Sequence, residues 1–273
     1  MTAYTELENN LEALKLNAIR EYLPNYLEGD KQLSLAEILK QLTDKELNYR
    51  KQRSARMSIH TAHFPYQKEI KDFDFNFQPS VDKEKITNLM SMEFVENARN
   101  VLFIGSSGVG KTHLATGLGV EACKNHLSTY FVNCHELIER LKLAYQENRL
   151  EPMLKNYLRY KLLIIDEIGY LPIDNLGSNL FFQLISRRYE KKSIIVTTNI
   201  PLSKWGQTFS NPTIANAILD RLVHHSEIFK ISGKSYRMKD YTEQHTKQHL
   251  NRWKKYIFKP VISDNFKSVL TIP

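Results

Sequence analysis

The stretch Gly105-Ser106-Ser107-Gly108-Val109-Gly110-Lys111-Thr112 follows directly on the apolar run Val101-Leu102-Phe103-Ile104 and leads into His113-Leu114-Ala115-Thr116. A short buried strand, a loop and a helix start are expected, with the loop spaced G-x-x-x-x-G-K-T. Such a loop is a cradle for phosphate. Glycine permits positive φ and close approach of successive N–H groups to an anion, and the helix N-terminus adds about half a positive charge. Gly105, Ser106, Ser107, Gly108, Val109, Gly110, Lys111, Thr112 and His113 are therefore the candidate nucleotide contacts. Lys111 reaches the β- and γ-phosphates, and the Thr112 hydroxyl sits on Mg²⁺.

Around this loop the chain alternates between strand and helix patterns. The helix after the loop runs to about Asn125, and Thr129-Tyr130-Phe131-Val132-Asn133 reads as a second strand. A helical stretch from Glu136 to Glu147 carries Leu137, Leu141 and Ala144 on one face, with Arg140 and Lys142 elsewhere. Leu162-Leu163-Ile164-Ile165 runs into Asp166-Glu167, and Ser193-Ile194-Ile195-Val196-Thr197-Thr198 runs into Asn199. The expected fold class is α/β, a parallel sheet covered by helices on both faces, with ligands at the carboxyl ends of the strands.

The first 60 residues read as a separate helical module. Leu7, Leu11, Leu14 and Ala18 recur at helical spacing, with Pro24 and Gly29-Asp30 as the end of that segment. Ser34-x-x-Glu37 is a capping box opening a second helix, and Thr43-x-x-Glu46 is expected to open a third. Residues 61–82 lack a helical period and read as an extended aromatic linker on which Phe73, Phe75 and Phe77 alternate, packing on the next domain. The expected layout is a helical DNA-binding module over 1–60, the linker over 61–82, an ATPase domain over 83–244 and a basic aromatic tail over 245–273.

Phosphoryl transfer to water needs a held metal, an oriented water and neutralised charge. Asp166 is placed to hold Mg²⁺ with Thr112, and Glu167 to orient or deprotonate the water. Asn199 is a candidate partner for the γ-phosphate or that water. The charge falls to an arginine, because guanidinium stays protonated and forks onto phosphate oxygens; Arg221 and Arg237 stand out.

The chain of 273 residues carries a net charge of +8, concentrated in residues 220–273, where eleven Lys or Arg face five Asp or Glu. That balance favours a polyanionic partner. Arg50, Lys51, Arg53 and Arg56 lie within seven positions of one predicted helix, and we expect them to contact DNA phosphates. Cys123 and Cys134 lack metal or redox spacing and read as reduced thiols, and no apolar run has membrane-spanning length, so a cytoplasmic protein is expected.

Taken in order, these blocks resemble the IstB family of insertion-sequence transposition helper ATPases, in the DnaC-like branch of AAA+ ATPases. The matching text includes Phe64-Pro65-Tyr66, Asp72-Phe73-Asp74-Phe75, Gly110-Lys111-Thr112-His113, Asp166-Glu167-Ile168-Gly169-Tyr170-Leu171-Pro172, Arg188-Tyr189-Glu190, Asp220-Arg221-Leu222 and Ser235-Tyr236-Arg237. The resemblance implies an AAA+ P-loop fold, ATP with Mg²⁺, Asp166 and Glu167 as the Walker-B pair, and Asn199 as first sensor. It makes Arg221 the finger reaching a neighbouring subunit's nucleotide and Arg237 the second sensor. It also implies a DNA-facing helix with Arg140, Lys142 and Arg149, a homo-oligomer on duplex DNA, and recruitment of a transposase encoded by the same element. A replicative-helicase loader on single-stranded DNA is the nearest rival. A small-molecule kinase and a DNA scaffold with ATP as a switch are more distant ones; the kinase would need a mobile arginine-rich lid, which is not seen between Asn199 and Arg221.

Overall fold

The structure is a computed structural model describing residues 2–27 and 33–238. Three helices come first: α1 (Ala3–Ala13), α2 (Asn17–Leu27) and α3 (Leu35–Thr61). A coil with one short helical turn at Ile70–Asp72 leads to α4 (Lys83–Leu89) and α5 (Glu93–Glu96). The sheet domain then runs β1 (Asn100–Gly105), α6 (Lys111–Lys124), β2 (Thr129–Asn133), α7 (Cys134–Gln146), α8 (Leu150–Arg159) and β3 (Leu162–Ile168). It continues with α9 (Asn175–Arg188), β4 (Ser193–Thr198), α10 (Trp205–Thr208), α11 (Pro212–Val223) and β5 (Ser226–Ile231).

The five strands are all parallel and lie in the order β2-β3-β4-β1-β5. Their apolar runs are continuous because both faces are covered. On one face Leu102, Leu163, Ile165 and Val196 pack with Leu137, Leu184, Phe181, Trp205 and Ile218 from α7, α9, α10 and α11. On the other, Val101, Phe103, Ile164 and Ile195 meet Leu114 and Leu118 of α6 and the linker's Ile70 and Phe73. Fully burying each such side chain is worth about 1.5–3 kcal/mol. The sheet is thereby a rigid platform, with the phosphate loop, Asp166 and Asn199 at the carboxyl ends of β1, β3 and β4.

Arg188 is wholly buried at the end of α9. Its guanidinium donates to the carbonyls of Tyr157, Tyr160, Lys161 and Ser193 at 2.7–3.3 Å, tying α8, β3 and β4 together. Burial pulls its pKa down to about 9.

The helical module departs from its expectation in two places. Two helices stand where one was expected up to Gly29-Asp30, which lie outside the described residues. The break falls at Lys15, which adopts a φ of 55°, and Pro24 lies inside α2 instead of ending it. The cause is tertiary: the buried Glu46 carboxylate accepts from the N–H groups of Ala18 and Ile19 and so caps a new helix start. Nor does Thr43 open a third helix. Its hydroxyl donates back to the carbonyls of Leu39 and Lys40, and α3 continues unbroken for 27 residues. The linker is likewise less extended than its alternation implied. Phe73 packs edge-on against Phe75 and His113, whereas Phe77 meets Tyr236.

Candidate functional site

One cleft gathers the phosphate loop with residues from four other segments. It is lined by Ser107 to His113, by Glu167 in β3 and Tyr170 after it, by Thr197 and Asn199 at β4, by Tyr66 and Asp72 to Asp74 of the linker, and by Tyr236 and Arg237. Gly108 and Gly110 take φ of 80° and 97°, and a Cβ at Gly110 would come within 2.5 Å of the Phe73 ring. Only glycine fits both demands. Gly105 and Ser106 lie behind the loop, where their carbonyls accept from Lys111 Nζ at 2.8 and 2.7 Å. The lysine is largely buried, and burial pulls its ammonium below the usual value against the opposing pull of Asp166 and Glu167. His113 belongs to the lining, half-buried against the Glu69 carbonyl at 3.0 Å.

The placing of Asp166 and Glu167 depends on a local fault in the sheet. Along a straight strand Asp166 and Glu167 would point to opposite faces. Between Ile165 and Ile168 the pairing with β4 slips, and Glu167 takes a φ of 61°. A non-glycine residue held there costs on the order of 1–3 kcal/mol. Thr197 stabilises the fault with one hydroxyl, which accepts from the Glu167 N–H at 2.9 Å and donates to Asp166 Oδ1 at 2.5 Å. Asp166 also accepts from the Thr112 hydroxyl at 3.0 Å. Burial raises its pKa, outweighing the two hydroxyl contacts. A hydroxyl and a carboxylate in contact form a hard oxygen donor set that suits Mg²⁺, so Thr112 and Asp166 fit that ion. Glu167 is exposed, and Asn133 Nδ2 donates to its Oε2 at 2.9 Å.

Sequence reasoning missed Asn133 and Thr197. Asn133 pairs in register with Asp166, so the one available signal was a polar residue ending an apolar strand beside the acids. Thr197 offered none, being β-branched in a β-strand. Tyr66 belongs to the cleft too; burial raises its phenol pKa, with Asp166 adding to the shift and Arg237 opposing it.

Arg237 lines the cleft, but Arg221 does not. Its guanidinium donates to Ala217 O at 2.9 Å and lies 4.8 Å from the Phe182 ring centroid and 6.0 Å from that of Tyr189. Of the expected DNA contacts, Lys51, Arg53 and Arg56 are exposed along α3, whereas Arg50 is tied to Glu46 at 2.8 Å. Arg140 is paired with Glu136 and the Tyr130 hydroxyl, Lys142 with Glu139 and Asp174, and Arg149 with Glu147. These three cations serve intrachain pairs, and no bare basic stripe forms on α7.

Comparison with known proteins agrees with this geometry. The profile of the IstB-like ATP binding protein family matches residues 9–244. The ATP-binding protein of insertion sequence IS232 from Bacillus thuringiensis subsp. berliner is 49% identical over 241 residues, covering 88% of this chain and 96% of the relative. Its counterpart from IS21 of Pseudomonas aeruginosa is 42% identical, covering 86% and 89%. Among solved structures, DnaI superposes with a TM-score of 0.52 at 20% identity, covering 65% of this chain and 94% of that one, a likeness of fold. No helix among the described residues is long and apolar enough to cross a membrane. The phosphate loop, the acid pair set on its bulge and the family profile spanning both converge, and the chain belongs to the IstB-like ATP-binding proteins, ATPases built on the AAA+ P-loop fold.

Proposed function

We propose that this protein assembles on duplex DNA in an ATP-dependent manner and there recruits and stimulates the transposase encoded by the same insertion sequence. The observation that carries the assembly is the division of the arginines: Arg237 lines its own chain's cleft, while Arg221 lies on α11 outside it. If Arg221 acts as a finger, it does so on a neighbour's nucleotide, and each ATP would then lie between two subunits. The relatives are described as insertion-sequence proteins, and that supports the transposase partner.

Within the cleft the roles follow from chemistry. Lys111 releases the loop carbonyls to meet the β- and γ-phosphates, and Arg237 adds charge on the same side. Glu167 leaves Asn133 to take the proton of the attacking water, and Asn199 orients the γ-phosphate or that water. Mg²⁺, held by Thr112 and Asp166, supplies charge neutralisation on the phosphates when bound. Arg221 from the next subunit stabilises the charge that develops in the transition state. Lys51, Arg53 and Arg56 hold DNA phosphates, with Arg50 acting mainly inside the module; Arg140, Lys142 and Arg149 contribute only after exchanging their carboxylate partners. With DNA as its partner, the protein is read as cytoplasmic.

Sedimentation velocity with duplex or single-stranded DNA, each with ATP and with ADP, tests the reading. A large assembly with duplex and ATP alone is the expected result. Preference for single strands would indicate the helicase-loader reading, and no assembly under any condition would remove the proposal.

A further inference from the structure

Two helix-to-strand turns meet on the surface behind Arg221. The turn after α9 carries Tyr189 and Glu190, and the turn after α11 carries His224 and His225. Glu190 and His225 both sit in the left-handed region, at φ of 57° and 55°, a conformation unusual for side chains of this kind. Its effect is to bring the donors together. Adjacent residues in extended chain would point apart, yet the two imidazoles lie 3.8 Å between centroids. Glu190 Oε1 is 3.7 Å from His224 Nδ1 and 3.9 Å from His225 Nε2, and one ligand atom from each of the three residues falls within 4.8 Å of the others.

The scaffold beneath is rigid. The His225 carbonyl accepts from Asn100 N at the start of β1, and the His224 N–H donates to Asp220 O. Under the other turn, the Lys191 and Lys192 N–H groups donate to the carbonyl of buried Arg188. Tyr189 OH lies 2.7 Å from His224 Nδ1, a hydrogen bond that an ion bound at Nδ1 would replace, leaving the phenol oxygen beside the ion.

We propose that Glu190, His224 and His225 form a binding site for a borderline transition-metal ion of the Zn²⁺ class, separate from the nucleotide cleft. Two imidazoles and one carboxylate are the donor set of open zinc sites, and they discriminate against Mg²⁺ and Ca²⁺, which take oxygen. Bonds of 2.0–2.1 Å at tetrahedral angles put ligand atoms about 3.3 Å apart. The two separations from Glu190 exceed that by about half an ångström, and all three ligand atoms lie within 4.8 Å of one another at exposed positions whose side chains can rotate. Three protein ligands leave a position open to water or to a further donor. The ion would also sit beside Tyr189, whose ring centroid lies 6.0 Å from the Arg221 guanidinium. The buried cysteines Cys123 and Cys134 offer no rival exposed thiolate site.

The test uses the untagged full chain equilibrated with Zn²⁺ in millimolar Mg²⁺, then passed through gel filtration and assayed for bound metal. One Zn²⁺ per chain is expected, with His225→Ala and Glu190→Gln each losing at least about tenfold in affinity and Tyr189→Phe losing less. ATP affinity and far-UV circular dichroism, measured on the same samples, should stay unchanged because all three ligands are exposed. Absence of retained zinc in the parent chain would overturn the site. So would zinc binding that survives both ligand substitutions, or that Mg²⁺ displaces.

Discussion

The nucleotide cleft and the helical module before it both bury charged groups, but to different ends. In the cleft, Lys111 and Asp166 lie among strands that are buried on both faces, and their partners are loop carbonyls and hydroxyls that a ligand can replace. In the module, buried Glu46 caps α2 through Ala18 and Ile19 and binds Arg50, and its partners are the module itself. Around it the apolar core is thin: Leu11, Ala18 and Leu42 are buried, whereas Leu35, Leu39 and Leu47 are exposed. A polar group that holds a fold together is thus satisfied internally, while one that faces the cleft is satisfied by partners a ligand can replace.

Lys111→Ala gives the largest expected effect: loss of ATP binding by more than about a hundredfold with an unchanged melting temperature, read by calorimetry and thermal unfolding. Normal affinity would end the distinction, since the lysine would then be structural. Glu167→Gln should follow, retaining ATP while turnover falls by about 10²–10⁴ in a phosphate-release assay.

These two residues were legible from sequence because loop spacing and a strand ending in acids are local signals. The bulge that re-aims Glu167 was not, as it arises from the Thr197 hydroxyl on a neighbouring strand. Strand β5 was also missed. Its sequence Ser-Glu-Ile-Phe-Lys-Ile is half polar, as suits an edge strand with only Phe229 and Ile231 buried, and it lacks the apolar run that marked the central strands. Thr43-x-x-Glu46 misled for a related reason: Glu46 had a tertiary partner 28 residues away. The tail over 245–273 lies outside the described residues.

In the module, Glu46→Ala should cost about 1–2 kcal/mol by removing the cap on α2, read as lost amide protection over residues 3–61 with ATP affinity unchanged. Acid sharpens the contrast. Burial tends to raise the Glu46 pKa, but Arg50 and the two N–H groups outweigh it and hold it below the ordinary carboxylate range. Its contribution is therefore present above the unfolded value and is lost as pH falls through the folded one. Asp166 has the opposite sign: its raised pKa costs stability near neutrality, and that cost is relieved on acidification. Amide exchange at decreasing pH, corrected for intrinsic rates, should show the module opening before the sheet, and simultaneous opening would erase the difference. The smallest effect concerns the thiols. Burial pushes Cys123 up to about 11 and Cys134 up to about 12, so neither should react measurably with iodoacetamide at pH 8 until the chain is denatured.

The segment after β5 is fastened to the phosphate loop. The Tyr236 N–H donates to Gly108 O at 2.8 Å, Gln78 donates to Lys234 O, and Ser80 exchanges two hydrogen bonds with Ser232. A shortened chain ending at Ile231 would keep every strand and much of the core, yet lose this fastening and Arg237 with it. A truncation or a label should therefore spare residues 232–238, the seven that follow the last strand.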